Sequence, residues 1–176
     1  PARGGAVHGI AAAYDGERGL PFAHDDLTGV ASDAWPVTPF EVTTVAEVVR
    51  ALRGAAGAHC ASHGVFDGDD PLSSGILVDG GLLDLATISR LDLPDLALTV
   101  LASCWTGAVT QLPGRELFGV PMALHAAGVG AVIAPLWAVS DQFGPGFSRA
   151  LWHSLGQRDA VGALAATQRR HWRSRH

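Results

Sequence analysis

The 176-residue sequence contains no lysine, and all twelve of its basic residues are arginine. That bias fits the coding habit of a GC-rich, bacterial genome and bears on origin rather than chemistry. Charge of either sign is scarce: 16% of residues are charged, the net charge is -5, and no basic cluster occurs before the last eight positions. Nothing therefore supplies the phosphate-neutralising surface that nucleic-acid binding needs, and no nucleic-acid partner is expected. Long apolar runs are also missing. The most apolar stretch, "GVGAVIAPLWAV", stops at Ser140 and Asp141, well short of the roughly 18 residues of a membrane span, so it reads as a buried strand and no membrane partner is expected. Cysteine is limited to Cys60 and Cys104, and with no secretory leader expected, a reducing, cytoplasmic setting is expected, where thiols stay free for reactivity or metal binding. The only methionine is Met122 and the first residue is Pro1, so the expectation is a piece of a longer polypeptide with partners encoded upstream.

What is present is a domain's worth of core. Hydrophobic residues make up 48% of the sequence, enough for one globular domain over 1–176. An Ala, Val and Ile run from Ala6 predicts a first strand, followed by the turn-rich "DGERGLP". "AHDDLTGVASDAW" predicts a short helix. "VTTVAEVVRALRGAAG" is a clearer one, with Val45, Val48, Val49 and Leu52 on one face and Gly54 near its stop. "AGAHCASHG" reads as a buried strand ending at Gly64, and "VFDGDDPLSS" as a loop. "SGILVDGGLLDL" predicts a hairpin about Asp79-Gly80-Gly81, "ATISRLDLP" a helical turn, and "LALTVLASC" a second buried strand. Next come a helix from Arg115 to Ala127, the strand "GAVIAPLWAV", and helices across "FSRALWHSL" and "DAVGALAATQRRHW". Helices alternating with near-continuous apolar strands predict an α/β fold, a three-layer α/β/α sandwich on a mostly parallel sheet.

In open parallel sheets, functional residues collect beyond the carboxyl ends of strands. His63-Gly64 and Cys104 follow the two most apolar strands, and adjacent strand ends lie only about 4.8 Å apart. A histidine beside a cysteine is a base beside a nucleophile: the thiolate attacks and the imidazole manages protons. A glycine after the histidine lets backbone approach a reacting carbonyl, so the N–H groups of Gly64 and Cys104 are candidates for an oxyanion hole.

These segments carry a resemblance. "HCASHG" resembles the H-x-x-x-H-G block of the CHAT domain family of caspase-like and separase-like peptidases, and "LTVLASCWTG" resembles its cysteine-bearing strand. "SGILVDGGLLDLATISRLDLP" is similar to the family's small hairpin. "LFGVPMALHAAGVGAVIAPLWAVSD" is similar to its helix and its strand ending in Leu-Trp-x-Val-x-Asp, and "AVGALAATQRRHW" to its closing helix. The resemblance spans Val42 to Trp172, and the order of five blocks makes it specific. It implies a cysteine endopeptidase with Cys104 as nucleophile, His63 as catalytic histidine, His59 as the non-catalytic first histidine, and no cofactor. The family pattern commonly has Ser-Ala before the cysteine, whereas here Ala102-Ser103 is reversed. Such domains often follow helical repeats, so upstream helical-repeat or effector regions of the same polypeptide are expected partners, beside a protein or peptide substrate. Asp141 matches the separase-branch aspartate that lines an arginine pocket, which implies cleavage after a basic residue.

Blander readings stand beside these. His59 and His63 share a strand face and have cysteines nearby, a zinc possibility, but the glutamate of H-E-x-x-H is absent and His59 is better read as a hydrogen-bonded core residue. Cys60 alternates to the opposite face and reads as packing. Asp67, Asp69 and Asp70 are candidates for Ca²⁺ or a basic substrate, against turn-forming aspartates in a solvated loop. Asp141 could instead cap the following helix; with Pro145 first in that helix, the cap falls at Gly144. The tail "RRHWRSRH" reads as an exposed helix end whose charges suit the dipole. The competing function is a CHAT-type scaffold that keeps the fold without cutting.

Overall fold

Alternating apolar and helical segments build a layered domain in the computed structural model, which describes residues 5–14, 19–30, 35–111, 114 and 116–173. The turn expected at 15–18, the end of the "AHDDLTGVASDAW" segment at 31–34, Arg115 and the last three residues lie outside the described residues.

The chain opens with strand β1 (Val7–Ala12), helix α1 (Ala23–Val30), strand β2 (Val37–Val42), helix α2 (Val45–Arg53) and strand β3 (Gly57–Ala61). A small antiparallel sheet follows, β4 (His63–Val65), β5 (Gly75–Val78) and β6 (Gly81–Asp84), then the short helix α3 (Leu85–Ile88) and strand β7 (Leu98–Ala102). The remainder is a two-stranded ribbon of β8 (Thr110–Gln111) and β9 (Leu117–Phe118), helix α4 (Val120–Ala126), strand β10 (Val132–Ile133), and helices α5 (Gly144–Leu155) and α6 (Ala160–Arg173). Five strands pair in the order β10-β7-β3-β1-β2, all parallel.

Every residue of β3 is buried, as a central strand covered on both faces requires. On one face Ile10, Cys60 and Leu101 pack with Val48 and Leu52 of α2, Ile88 of α3 and Leu124 of α4. On the other, Val7, Leu98, Val100 and Ile133 pack with Val30 of α1, Leu151 and Trp152 of α5 and Ala163 of α6. This is the expected three-layer caspase-like α/β/α architecture. No described helix is long and apolar enough to cross a membrane.

Helix α2 follows its sequence signals: Thr44 and Glu47 form a capping box, and Gly54 ends it. The hairpin also forms, with Val78 opposite Gly81 closing an Asp79-Gly80 turn and the positive φ of 140° falling on Gly81.

Three expected boundaries are corrected. The strand expected to run to Gly64 stops at Ala61, and His63–Val65 leaves it to pair with β5. There the His63 N–H finds the Tyr14 hydroxyl at 2.7 Å instead of a partner in the parallel ladder. The helix expected from Arg115 begins at Val120, while Leu117–Phe118 pairs with β8. Gly119 lies so close to the Ala108 carbonyl that a side chain there would stand 2.5 Å from it, and Pro121 suits a helix start. The strand expected across "GAVIAPLWAV" pairs only at Val132–Ile133, because the Pro135 and Trp137 carbonyls turn to accept from Gly107 N–H (2.8 Å) and Trp105 N–H (3.5 Å).

Candidate active site

The register between β3 and β7 places Ala61 opposite Ala102. One step beyond, the hydroxyls of Ser62 and Ser103 hydrogen-bond at 2.6 Å, both buried. The reversed Ala102-Ser103 pair thus has a local use: the hydroxyl at 103 ties the two strand ends together. Past the ladder His63 leaves to pair with β5 and Cys104 follows the end of β7, both on the carboxyl side of the sheet.

Their backbones are in direct contact. A side chain at Gly64 would collide with the Cys104 carbonyl oxygen and stand 2.8 Å from the Thr106 methyl, so only glycine fits between His63 and Val65. Cys104 is half-buried, and its Sγ is bracketed by the Val139 main chain: the Val139 N–H donates to sulfur at 3.3 Å, and the thiol donates to the Val139 carbonyl at 3.5 Å. The next residue, Trp105, has φ 63°, a left-handed conformation that costs a bulky side chain about 1–3 kcal/mol. The turn is held by the Thr106 hydroxyl donating to the Ser103 carbonyl at 2.7 Å and by Ala108 N–H donating to the Trp105 carbonyl at 2.9 Å. Cys104 therefore leaves β7 on a sharp, braced bend that lifts Trp105 into solvent.

His63 has a partner that sequence reasoning missed. Tyr14, just past β1, accepts the His63 N–H and donates its own hydroxyl hydrogen to the Leu77 carbonyl at 2.6 Å, while its ring lies 4.9 Å from the imidazole. It is the only tyrosine in the chain. Its placement next to His63 follows from β1 lying beside β3, a pairing that needs the topology and not the local pattern.

His59, inside β3, is fully buried. Trp152 donates its indole N–H to Nδ1 at 3.2 Å, which fixes the imidazole proton on Nε2, and that nitrogen donates to Asp26 Oδ2 at 3.0 Å. Both ring nitrogens are thus committed to core hydrogen bonds, which makes His59 a structural residue. The Asp26 carboxylate lies against Gly144 at the start of α5, where the helix dipole favours an anion. Cys60 is buried in the core and burial pushes its thiol up to about 12, so it is unreactive packing. Among the described residues no group of three His, Cys, Asp or Glu side chains is arranged to hold a metal.

Asp141 emerges from the segment that touches Cys104, two residues beyond Val139. Its Oδ2 accepts the Phe22 N–H at 3.2 Å, just before α1. It does not cap α5: that helix begins at Gly144 with Phe143 at the cap position, so the cap expected at Gly144 falls one residue earlier, and Pro145 sits in the first turn. Asp67 turns its carboxylate on its own loop, accepting the N–H groups of Asp69 and Asp70 at 2.9 Å each, and those two bonds hold it below the usual carboxylate range. Asp70 likewise accepts from the Ser73 hydroxyl at 2.6 Å. The acidic loop is a self-bonded turn.

The family model for the CHAT domain matches residues 18–176, extending upstream of the five sequence blocks. No curated protein matches the chain.

Proposed function

From its membership of the CHAT domain family, a family related to caspase-like peptidases, we propose that the chain is a cysteine endopeptidase with Cys104 and His63 as its catalytic pair. The observation that carries this reading is the contact of Gly64 with the Cys104 backbone, which leaves the residues on either side of that contact at one edge of the sheet. The Cys104 thiolate attacks the scissile carbonyl carbon, the C–N bond breaks, and His63 gives its proton to the leaving amine. Water then hydrolyses the thioester, releasing the acyl half as a carboxylic acid and restoring the thiol. The N–H groups of Gly64 and Cys104 are assigned to the oxyanion.

Asp141 is assigned to the side chain preceding the scissile bond, with arginine favoured because a planar guanidinium pairs with carboxylate in bidentate fashion. The Phe22 N–H supports this role by orienting the carboxylate through one oxygen. In a peptide library varied at that position, cleavage after Arg should exceed cleavage after Lys, Asp or large apolar residues. Asp141→Ala should erase the preference. An Arg preference that survives the substitution would refute the pocket while leaving the pair in place.

One observation favours a second reading, a scaffold that keeps the fold without cutting: the Cys104 sulfur is held between the Val139 N–H and carbonyl in the resting chain. Turnover of any peptide by wild type and none by Cys104→Ala decides for the enzyme. Equal turnover by both proteins would sink the assignment.

A further inference from the structure

Two segments run past each other in opposite directions at the carboxyl edge of the sheet, the bend after Cys104 and the segment after β10. Gly107 N–H donates to the Pro135 carbonyl at 2.8 Å, and Trp105 N–H to the Trp137 carbonyl at 3.5 Å. The next residues in this row are Ser103 and Val139, but Ser103 has turned away, its carbonyl accepting the Thr106 hydroxyl at 2.7 Å. The Cys104 side chain takes its place. Val139 N–H donates to Sγ at 3.3 Å and the Val139 carbonyl accepts from the thiol at 3.5 Å, so both groups of one residue face the sulfur, as at a hydrogen-bonded position of an antiparallel pair.

Sulfur is an unusual partner for a half-buried main chain. A neutral thiol is a weak acceptor, whereas a main-chain N–H ordinarily finds an oxygen. Among the described residues no main-chain oxygen accepts the Val139 N–H. Ionisation of the thiol changes the balance, because a bond from N–H to a charged acceptor is roughly twice as strong as one between neutral groups. The carbonyl works the other way, since it bonds the sulfur only while the proton is there. The N–H is the closer of the two.

Resting on the peptidase reading above, we propose that the Val139 main-chain N–H is a third catalytic group, holding the Cys104 thiolate in place for attack. In the resting chain the carbonyl keeps the S–H directed at itself. On ionisation the S–H bond breaks with its electron pair left on sulfur, and the proton passes to His63. The N–H then holds the anion alone until the sulfur forms its bond to the acyl carbon. The contact that restrains the thiol thus aims the nucleophile. It involves no side chain, so it survives any residue at 139 that carries an N–H.

The test replaces Val139 by its α-hydroxy acid, which turns one amide into an ester: the N–H disappears while the carbonyl and side chain at 139 stay. Cys104 is followed in two ways. One is the ultraviolet absorbance of its thiolate, taken as the difference from Cys104→Ala protein at the same pH. The other is its site-resolved rate of reaction with methyl methanethiosulfonate, a small reagent with no peptide part to bind. The ester protein should lose most of the thiolate signal and react about tenfold or more slowly. Its kcat for a peptide should fall by a similar factor at constant KM. Val139→Pro, which also lacks the N–H, should behave alike, and Val139→Ala, which keeps it, should retain the thiolate signal. An unchanged thiolate signal and reaction rate in the ester protein, or a rise in KM alone, overturns the proposal while leaving the peptidase reading intact. A thiolate signal that depends on the Val139 N–H, with no turnover of any peptide by wild type, keeps the N–H on the sulfur and rejects the peptidase.

Discussion

Two histidine–cysteine regions on adjacent central strands share residue types and differ in outcome. His59 and Cys60 lie in the interior of β3, where both faces are covered. His59 is locked between Trp152 and Asp26, and Cys60 is sealed with its thiol raised to about 12. His63 and Cys104 lie just past the last ladder residues of β3 and β7, half-buried, with backbone on one side and open sheet edge on the other. The distance from one region to the other along the chain is four residues for the histidines. Position relative to the strand end, and not residue type, decides which imidazole is locked into the core and which stands at the edge of the sheet.

The comparison is broken most severely by exchanging the penalties. His63→Ala should cut peptide turnover by about three orders of magnitude with little change in melting temperature, because it removes a half-buried group at an edge. His59→Ala should do the reverse. It leaves the Asp26 carboxylate buried and unpaired, at a cost of about 3–5 kcal/mol measured by urea unfolding, while the folded fraction keeps its KM. Comparable stability losses in both variants would mean that the two histidines are parts of one structural network.

A smaller effect sharpens the edge itself. Tyr14→Phe keeps the ring against His63 and deletes the hydroxyl that takes the His63 N–H. As a positioning residue, Tyr14 should affect kcat and not KM: a fall of about tenfold in kcat at constant KM is expected. A rise in KM alone would place Tyr14 in substrate binding instead.

Much of this contrast is legible in the sequence, and the reasons for the rest are tertiary. The apolar periodicity of α2 and the Asp79-Gly80 turn are local signals, and both elements form near their expected bounds. The placement of His63 and Cys104 at neighbouring strand ends also follows from the apolar runs that precede them. The end of β3 at Ala61 does not, since it depends on a tyrosine hydroxyl 49 residues away in sequence. Nor does the shortness of β10, which is set when the bend after Cys104 captures the Pro135 and Trp137 carbonyls. His59 was readable as a core residue, but its partners Asp26 and Trp152 come from two helices that only the sheet brings together.

The smallest expected effect lies away from the site and calibrates the fold. Backbone N–H bonds from Thr43 and Thr44 to Glu47 lower its carboxyl from 4.5 to about 2. A depressed folded value means that the contribution is present above the unfolded pKa and is lost as pH falls toward 2. The stability difference between wild type and Glu47→Gln should therefore be constant above about pH 5 and shrink below it. A difference that grows on acidification would contradict the cap geometry.

The most direct measurement is the site-resolved rate at which an electrophilic peptide ketone labels each cysteine, in wild type and in His63→Ala protein. The edge account predicts fast labelling of Cys104 in wild type, none of Cys60, and a loss of at least about a hundredfold at Cys104 when His63 is removed. Slow labelling of Cys104, or a rate indifferent to His63, would show that the two residues share an edge without sharing chemistry.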